Sequence, residues 1–135
     1  MKIICHSTQS GIEFDADLEF DDSVRFSLRI KFDGNEFVES GTDLIDALRK
    51  LRLNFLEPLQ IVPLLNGCRR DFVASRMQRQ STGGKVGYIF VMGSASQKAD
   101  VVLTFDPAAR DTVSFVLEQD ANYKIWLESL KNEKN

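Results

Sequence analysis

Residues 12–32 read IEFDADLEFDDSVRFSLRIKF, and the periodicity of this stretch decides the fold. Ile12, Phe14, Ala16, Leu18 and Phe20 alternate with Glu13, Asp15, Asp17 and Glu19. After Asp21-Asp22-Ser23, Val24, Phe26, Leu28, Ile30 and Phe32 alternate with Arg25, Ser27, Arg29 and Lys31. Alternation with a period of two places one set of side chains on each face of a strand, so both runs are half-buried strands. A connection over residues 21–23 pairs Phe20 with Val24, Glu19 with Arg25, Asp15 with Arg29 and Glu13 with Lys31. Every apolar residue then meets an apolar one, and opposite charges meet on the wet face. Each such cross-strand pair contributes about 0.2–1 kcal/mol, and a slip of one residue would turn the Phe side chains into water.

The flanking sequence extends this hairpin. Residues 3–5 form a short first strand. Asp33-Gly34 is a strong two-residue turn signal, which sets Lys31 against Glu36 and Ile30 against Phe37 on a third strand over 35–40. A helix follows, with Thr42 or Asp43 as N-cap and Leu44, Leu48, Leu51 and Phe55 as its apolar stripe, Ile45 and Leu56 beside it. Arg49, Lys50 and Arg52 are expected on its exposed side near the C-terminal end, and Pro58 to end it. Residues 59–65 are apolar but interrupted by Pro63, which suits an edge strand or an extended run. Residues 72–79 have room for a turn or two of helix. Strands are expected over 87–92, 101–105 and 112–117, with a turn at 94–98 and a loop from Asp106-Pro107. Tyr123, Trp126, Leu127 and Leu130 mark a C-terminal helix, with Ile125 on its flank. The expected fold is α+β: an antiparallel, meander-like sheet with two helices packed on its apolar face, as one domain over residues 1–135.

The chain carries a net charge of −3 and a pI near 5.2, which argues against the whole domain being a nucleic-acid footprint. The charge is unevenly spread. Residues 1–22 hold six acids against Lys2, a net −5, whereas residues 66–88 hold Arg69, Arg70, Arg76, Arg79 and Lys85 against Asp71, a net +4. Four of the eight glycines also fall in this central stretch, which suits backbone at positive φ or close approach of a ligand, with Gly83-Gly84 as a flexible turn into the next strand. Two readings of its cations are open: an outward patch that contacts phosphates, or internal pairing with the acids of the remaining chain.

Nucleotide motifs fail in detail. In Gly83-Gly84-Lys85 the residue after the lysine is Val86 rather than Ser or Thr, and Arg79 stands where the first glycine of a phosphate loop belongs. The run from Gly87 to Val91 resembles the sheet motif of RNA-recognition domains, with Tyr88 and Phe90 on one face. Val86, Ile89 and Gly93 break that pattern, and the preceding meander has the wrong element order.

Nor does a catalytic or metal-binding constellation emerge. Glu13, Asp15, Asp17 and Glu19 have the spacing of a solvated strand face, and no neighbouring residue supplies the perturbation that a catalytic acid needs. His6 is the sole histidine, and its neighbour Cys5 points to the opposite strand face. Cys5 and Cys68 are too few for a disulfide framework or a thiolate zinc site. Free thiols in a reducing compartment are expected, a single bridge between them remaining the alternative. The N-terminal MKIICHSTQS lacks the apolar run of a signal peptide, and no stretch is long enough to span a bilayer, so a soluble, cytoplasmic protein without membrane contact is expected.

The stretches NGCRRDFVASRM (66–77) and EQDANYKIWLESL (118–130) look like segments of short uncharacterised bacterial proteins. In size, acidity and lack of catalytic apparatus the chain also resembles the immunity proteins that neutralise secreted bacterial toxins. That resemblance implies a non-catalytic binding protein without cofactor or metal, whose acidic hairpin (Glu13, Asp15, Asp17 and Glu19) masks a cationic protein partner. The alternative is a small ligand- or nucleic-acid-binding module that uses Arg69, Arg70, Arg76, Arg79, Lys85 and Tyr88. A protein partner is expected ahead of nucleic acid.

Overall fold

The structure is a computed structural model, and it describes residues 1–95 and 101–133. Its architecture is α+β. Strands β1 (Lys2–Ser7), β2 (Glu13–Asp21), β3 (Phe26–Phe32), β4 (Asn35–Gly41) and β5 (Ile61–Pro63) form an antiparallel sheet in the order β4-β3-β2-β1-β5. Helix α1 (Leu44–Leu51) leaves β4 and packs back on its inner face. A second antiparallel sheet, β6-β7-β8, joins Phe72–Val73, Val86–Ile89 and Val101–Leu103. Helix α2 (Arg76–Thr82) connects β6 to β7, and helix α3 (Val116–Glu133) closes the described chain. The turn expected over 94–98 runs into residues 96–100, which lie outside the described residues.

The alternation seen in the sequence is what builds the core. Ala16, Leu18, Leu28 and Ile30 point inward from β2 and β3 and meet Leu44, Leu48, Leu51 and Leu56, all nearly inaccessible to water. Burying each leucine or isoleucine of this set contributes about 1.5–3 kcal/mol. Phe14, Phe32, Phe37 and Phe55 continue this layer as a row of rings at centroid spacings of 5.2, 6.0 and 4.9 Å. Trp126 of α3 covers the second sheet. It stacks on Phe90 at 4.9 Å, lies edge-on to Tyr88 at 6.3 Å, and donates its indole N–H to the carbonyls of Val91 and Ser94.

Asp33 and Gly34 both have positive φ, as a two-residue primed turn requires, and β3 pairs with β4 in the expected register, Lys31 with Glu36 and Ile30 with Phe37. The register of β2 with β3 differs from the expected one by four residues. Glu19 faces Arg29 rather than Arg25, and Asp17 faces Lys31. The tip does not zip up, because the Asp21 carboxylate captures the backbone N–H and hydroxyl of Ser23 at 2.9 and 2.6 Å, leaving Val24 94% exposed. An even shift keeps every side chain on its expected face, so periodicity alone does not distinguish the two registers.

Two further expectations are corrected. Residues 112–117 are not a strand: a 3-10 turn ends at Thr112, Val113 makes an isolated bridge to Arg69, and α3 begins at Val116. Its start is fixed by Glu57, whose carboxylate accepts the Val116 N–H at 2.9 Å. After Leu51 the chain also passes into a π-helical turn, Arg52–Leu56, and then a 3-10 turn, Glu57–Leu59, containing Pro58, before Gln60 reverses it at φ 60°. The wider turn rotates the helix surface, so Arg52, expected outside, is instead 2% exposed.

Candidate functional site

The central basic stretch is stapled to the rest of the fold by its own cations. The Arg69 guanidinium grips the Asp71 carboxylate at 2.8 and 3.0 Å. Arg70 donates to the carbonyls of Asp111 and Val113, with Glu118 of α3 3.9 Å away. Arg79 of α2 forms a bidentate pair with Asp43 at 2.6 and 3.1 Å, while Asp43 also caps α1 by accepting the Asp46 N–H. These carboxylates hold the Arg69 and Arg79 pKa values above their ordinary range. Lys85 meets Asp22 at 2.7 Å and lies over the Phe20 ring. Arg76 is exposed and makes no ion pair among the described residues. Tyr88 packs against Trp126, and Phe90 is buried with it, so the two rings that suggested a base-stacking face lie under α3.

The glycines of this stretch serve close approach. Gly83 offers its carbonyl to the Leu44 N–H at the start of α1, and a Cβ on Gly84 would lie 2.9 Å from the Ile45 nitrogen. Gly84 also has φ +93°, a conformation that other residues seldom adopt.

The acidic row lies on the outer face of the five-stranded sheet, with Glu13, Asp15, Asp17 and Glu19 all exposed. Cations stand among them. Asp17 sits between Lys2 and Lys31, and Lys31 faces Glu36, so the signs alternate across four strands. Glu19 faces Arg29, which is itself 3.1 Å from Glu36. Glu13 faces His6, with Arg110 3.8 Å away. Asp15 faces Ile4, which is 45% exposed. Beside this end of the row, a pocket of about 340 Å³ opens where β5 stops short of the first residues of β1. Ile3, Ile4, Leu64 and Phe105 line it, with Asp15 and Asp106 as its carboxylates and Lys2 as its cation.

Sequence reasoning missed the buried polar centre. Arg52 donates to the Gln119 side chain at 2.8 Å and to the Ser114 carbonyl, and its Nε lies 3.4 Å from Glu57. Gln119 in turn donates to the carbonyls of Gly67 and Arg69, and Asn122 to that of Arg70. One network thus clamps residues 67–70 onto α3. The signal was present only as an arginine at a helix position adjoining the apolar stripe. Above this centre, a cleft of about 180 Å³ is bordered by Phe72, Arg79 and the bidentate Arg49/Asp120 pair, and is smaller than the roughly 300–1,000 Å³ of ordinary ligand pockets. Cys5 and Cys68 are free and buried, and burial, with Cys68 nearby, pushes the Cys5 thiol up to about 12. Among the described residues no group of three or more His, Cys, Asp or Glu is placed to hold a metal ion, and no helix is long and apolar enough to cross a membrane.

In comparisons with known proteins, the chain matches no protein-family model and no curated sequence.

Proposed function

We propose that the protein is a non-catalytic binding protein that meets a cationic protein partner, in the manner of an immunity-type inhibitor, at the Asp15 end of its outer sheet face. The observation that carries this reading is the pocket beside Asp15, which combines an apolar wall of Ile4, Leu64 and Phe105 with the carboxylates of Asp15 and Asp106. An arginine or lysine side chain lays its aliphatic stem on such a wall and its charge on the carboxylates, which is how a single anchor residue comes to dominate an interface. Lys2 also lines the pocket and faces Asp17 across the strand pair, while exposed Glu13 and Asp17 stand on either side of Asp15 along β2. The rival module, using Arg69, Arg70, Arg76, Arg79, Lys85 and Tyr88, has less support, because Arg76 alone of its cations has no ion pair or hydrogen bond among the described residues.

The product of the adjacent gene is the first partner to test. A complex formed on co-expression should weaken at least about tenfold with Asp15→Lys at low salt, and the difference should shrink as rising salt screens the opposed charges. An unchanged affinity in Asp15→Lys and Asp106→Lys would reject the pocket. No complex with the neighbouring product would count against the immunity-type role itself.

A further inference from the structure

The two edges of the five-stranded sheet are protected unequally. β5 is three residues long and carries Pro63, which is how natural sheets blunt an edge. β4 is seven residues long, pairs with β3 without a bulge along its whole length, and contains neither lysine nor proline. The primed turn closes on the pair Phe32 and Asn35, a hydrogen-bonded pair in such a hairpin. Alternation then commits the backbone groups of Asn35, Phe37, Glu39 and Gly41 to β3, and turns those of Glu36, Val38 and Ser40 outward. No hydrogen bond among the described residues reaches the N–H or C=O of these three.

We infer that β4 is a dimerisation strand, pairing antiparallel with β4 of a second copy about a two-fold axis at Val38. The occupant follows from self-complementarity. With Val38 against Val38, Glu36 faces Ser40 of the partner and Phe37 faces Glu39, so all three outward residues bond and no like charges oppose. Every other in-phase register engages fewer of the three, and the one that centres on Glu36 sets carboxylate against carboxylate. The side chains agree with this choice. Val38 is an apolar residue 46% exposed amid charged neighbours, and in the dimer the two valines cover each other. Glu36 is held aside by Arg29, and Glu39 by the Asn54 amide. The contact joins two sheets of five strands into one of ten and lies at the edge opposite the pocket beside Asp15, so it stands independently of the partner reading. A seam of this length buries less than a permanent interface, so the dimer dissociates in the micromolar range.

Sedimentation velocity of the full chain from low micromolar to several hundred micromolar tests this directly, and a concentration-dependent dimer is expected. Val38→Pro removes an outward N–H and none that β3 uses, so it should weaken association roughly thirtyfold through the two symmetric bonds lost, with an unchanged melting temperature. Should that variant fail to fold, Ser40 supplies the second test. Ser40→Arg, opposite Glu36 of the partner, should tighten the dimer severalfold, and Ser40→Glu should loosen it by a similar factor. A monomer throughout the concentration range overturns the proposal. So does a dimer indifferent to Val38→Pro, or one on which the two Ser40 variants act alike.

Discussion

Arg52 shows what a single buried charge demands of its surroundings. Its guanidinium donates to the Gln119 side chain and the Ser114 carbonyl and lies beside the Glu57 carboxylate, groups that converge on it from different parts of the chain, while its buried Nε finds no hydrogen-bond partner among the described residues. Removing one member of a buried pair strands the other, which costs about 3–5 kcal/mol. Arg52→Met should therefore lower the urea midpoint of unfolding by the equivalent of about 3 kcal/mol. Adding Glu57→Gln, which keeps an acceptor for the Val116 N–H, should recover a measurable part of that loss. A fully additive double variant would show that the pair is not the reason for the cost. Cys5 makes a residue-scale prediction with a definite sign. Its thiol is held up near 12, whereas in the unfolded chain it ionises near its ordinary value of 9.0. The folded protein thus keeps a proton that the unfolded one loses, and stability falls as pH rises from about 9 to 12. Cys5→Ala should flatten that decline by up to about 1.4 kcal/mol per pH unit, read from urea unfolding at alkaline pH. An unaltered slope would show that the thiol titrates normally.

At the scale of elements, what the sequence made legible depended on how local the deciding interaction was. Asp33-Gly34 carries its own geometry, and the β3–β4 register followed from two residues. The β2–β3 register did not, because period-two alternation fixes parity and face but not the number of residues in the tip. The choice fell to the Asp21 carboxylate and Ser23. The start of α3 was hidden for a different reason: its first amide is capped by Glu57, on another element, so Val113, Phe115 and Leu117 read as a strand although Leu117 is 75% exposed. The observed register predicts that Asp17→Lys and Lys31→Asp are coupled, the double change losing about 0.5–1 kcal/mol less than the sum of the two single losses although Lys2 and Glu36 then oppose the exchanged charges, whereas the Asp15/Arg29 combination is additive. Coupling between Asp15 and Arg29 would reverse that assignment. Glycines provide a second comparison. Gly34→Ala meets open space and costs about 1–2 kcal/mol of backbone strain alone. Gly84→Ala adds a clash with the α1 backbone, and its melting temperature should drop clearly further.

For the whole molecule, charge is distributed so that the fold consumes most of its own cations. The +4 of the central stretch meets Asp22, Asp43 and Glu118 from three other parts of the chain and Asp71 from within. Asymmetry between segments was visible in the sequence, and the choice between an outward patch and internal pairing was not, because pairing is decided by which elements fold against one another. Nucleic acid should accordingly bind weakly even at low salt, with a shallow salt dependence. Micromolar affinity for an oligonucleotide near physiological salt, lost in Arg76→Ala with Arg79→Ala while the melting temperature holds, would contradict the internal pairing. The first sheet has a kinetic corollary as well. β2, β3 and β4 pair only with chain neighbours across short turns, whereas β5 reaches its partner only when Ile61 returns to Ser7. Closing that long loop costs chain entropy before any contact repays it, so the meander can nucleate while β5 is still unattached. A destabilising change at Ile30 should then slow folding, whereas Val62→Ala should leave the folding rate almost untouched and hasten unfolding instead. The edge strand beside the candidate site is in this sense the last piece of the sheet to arrive and the first to leave.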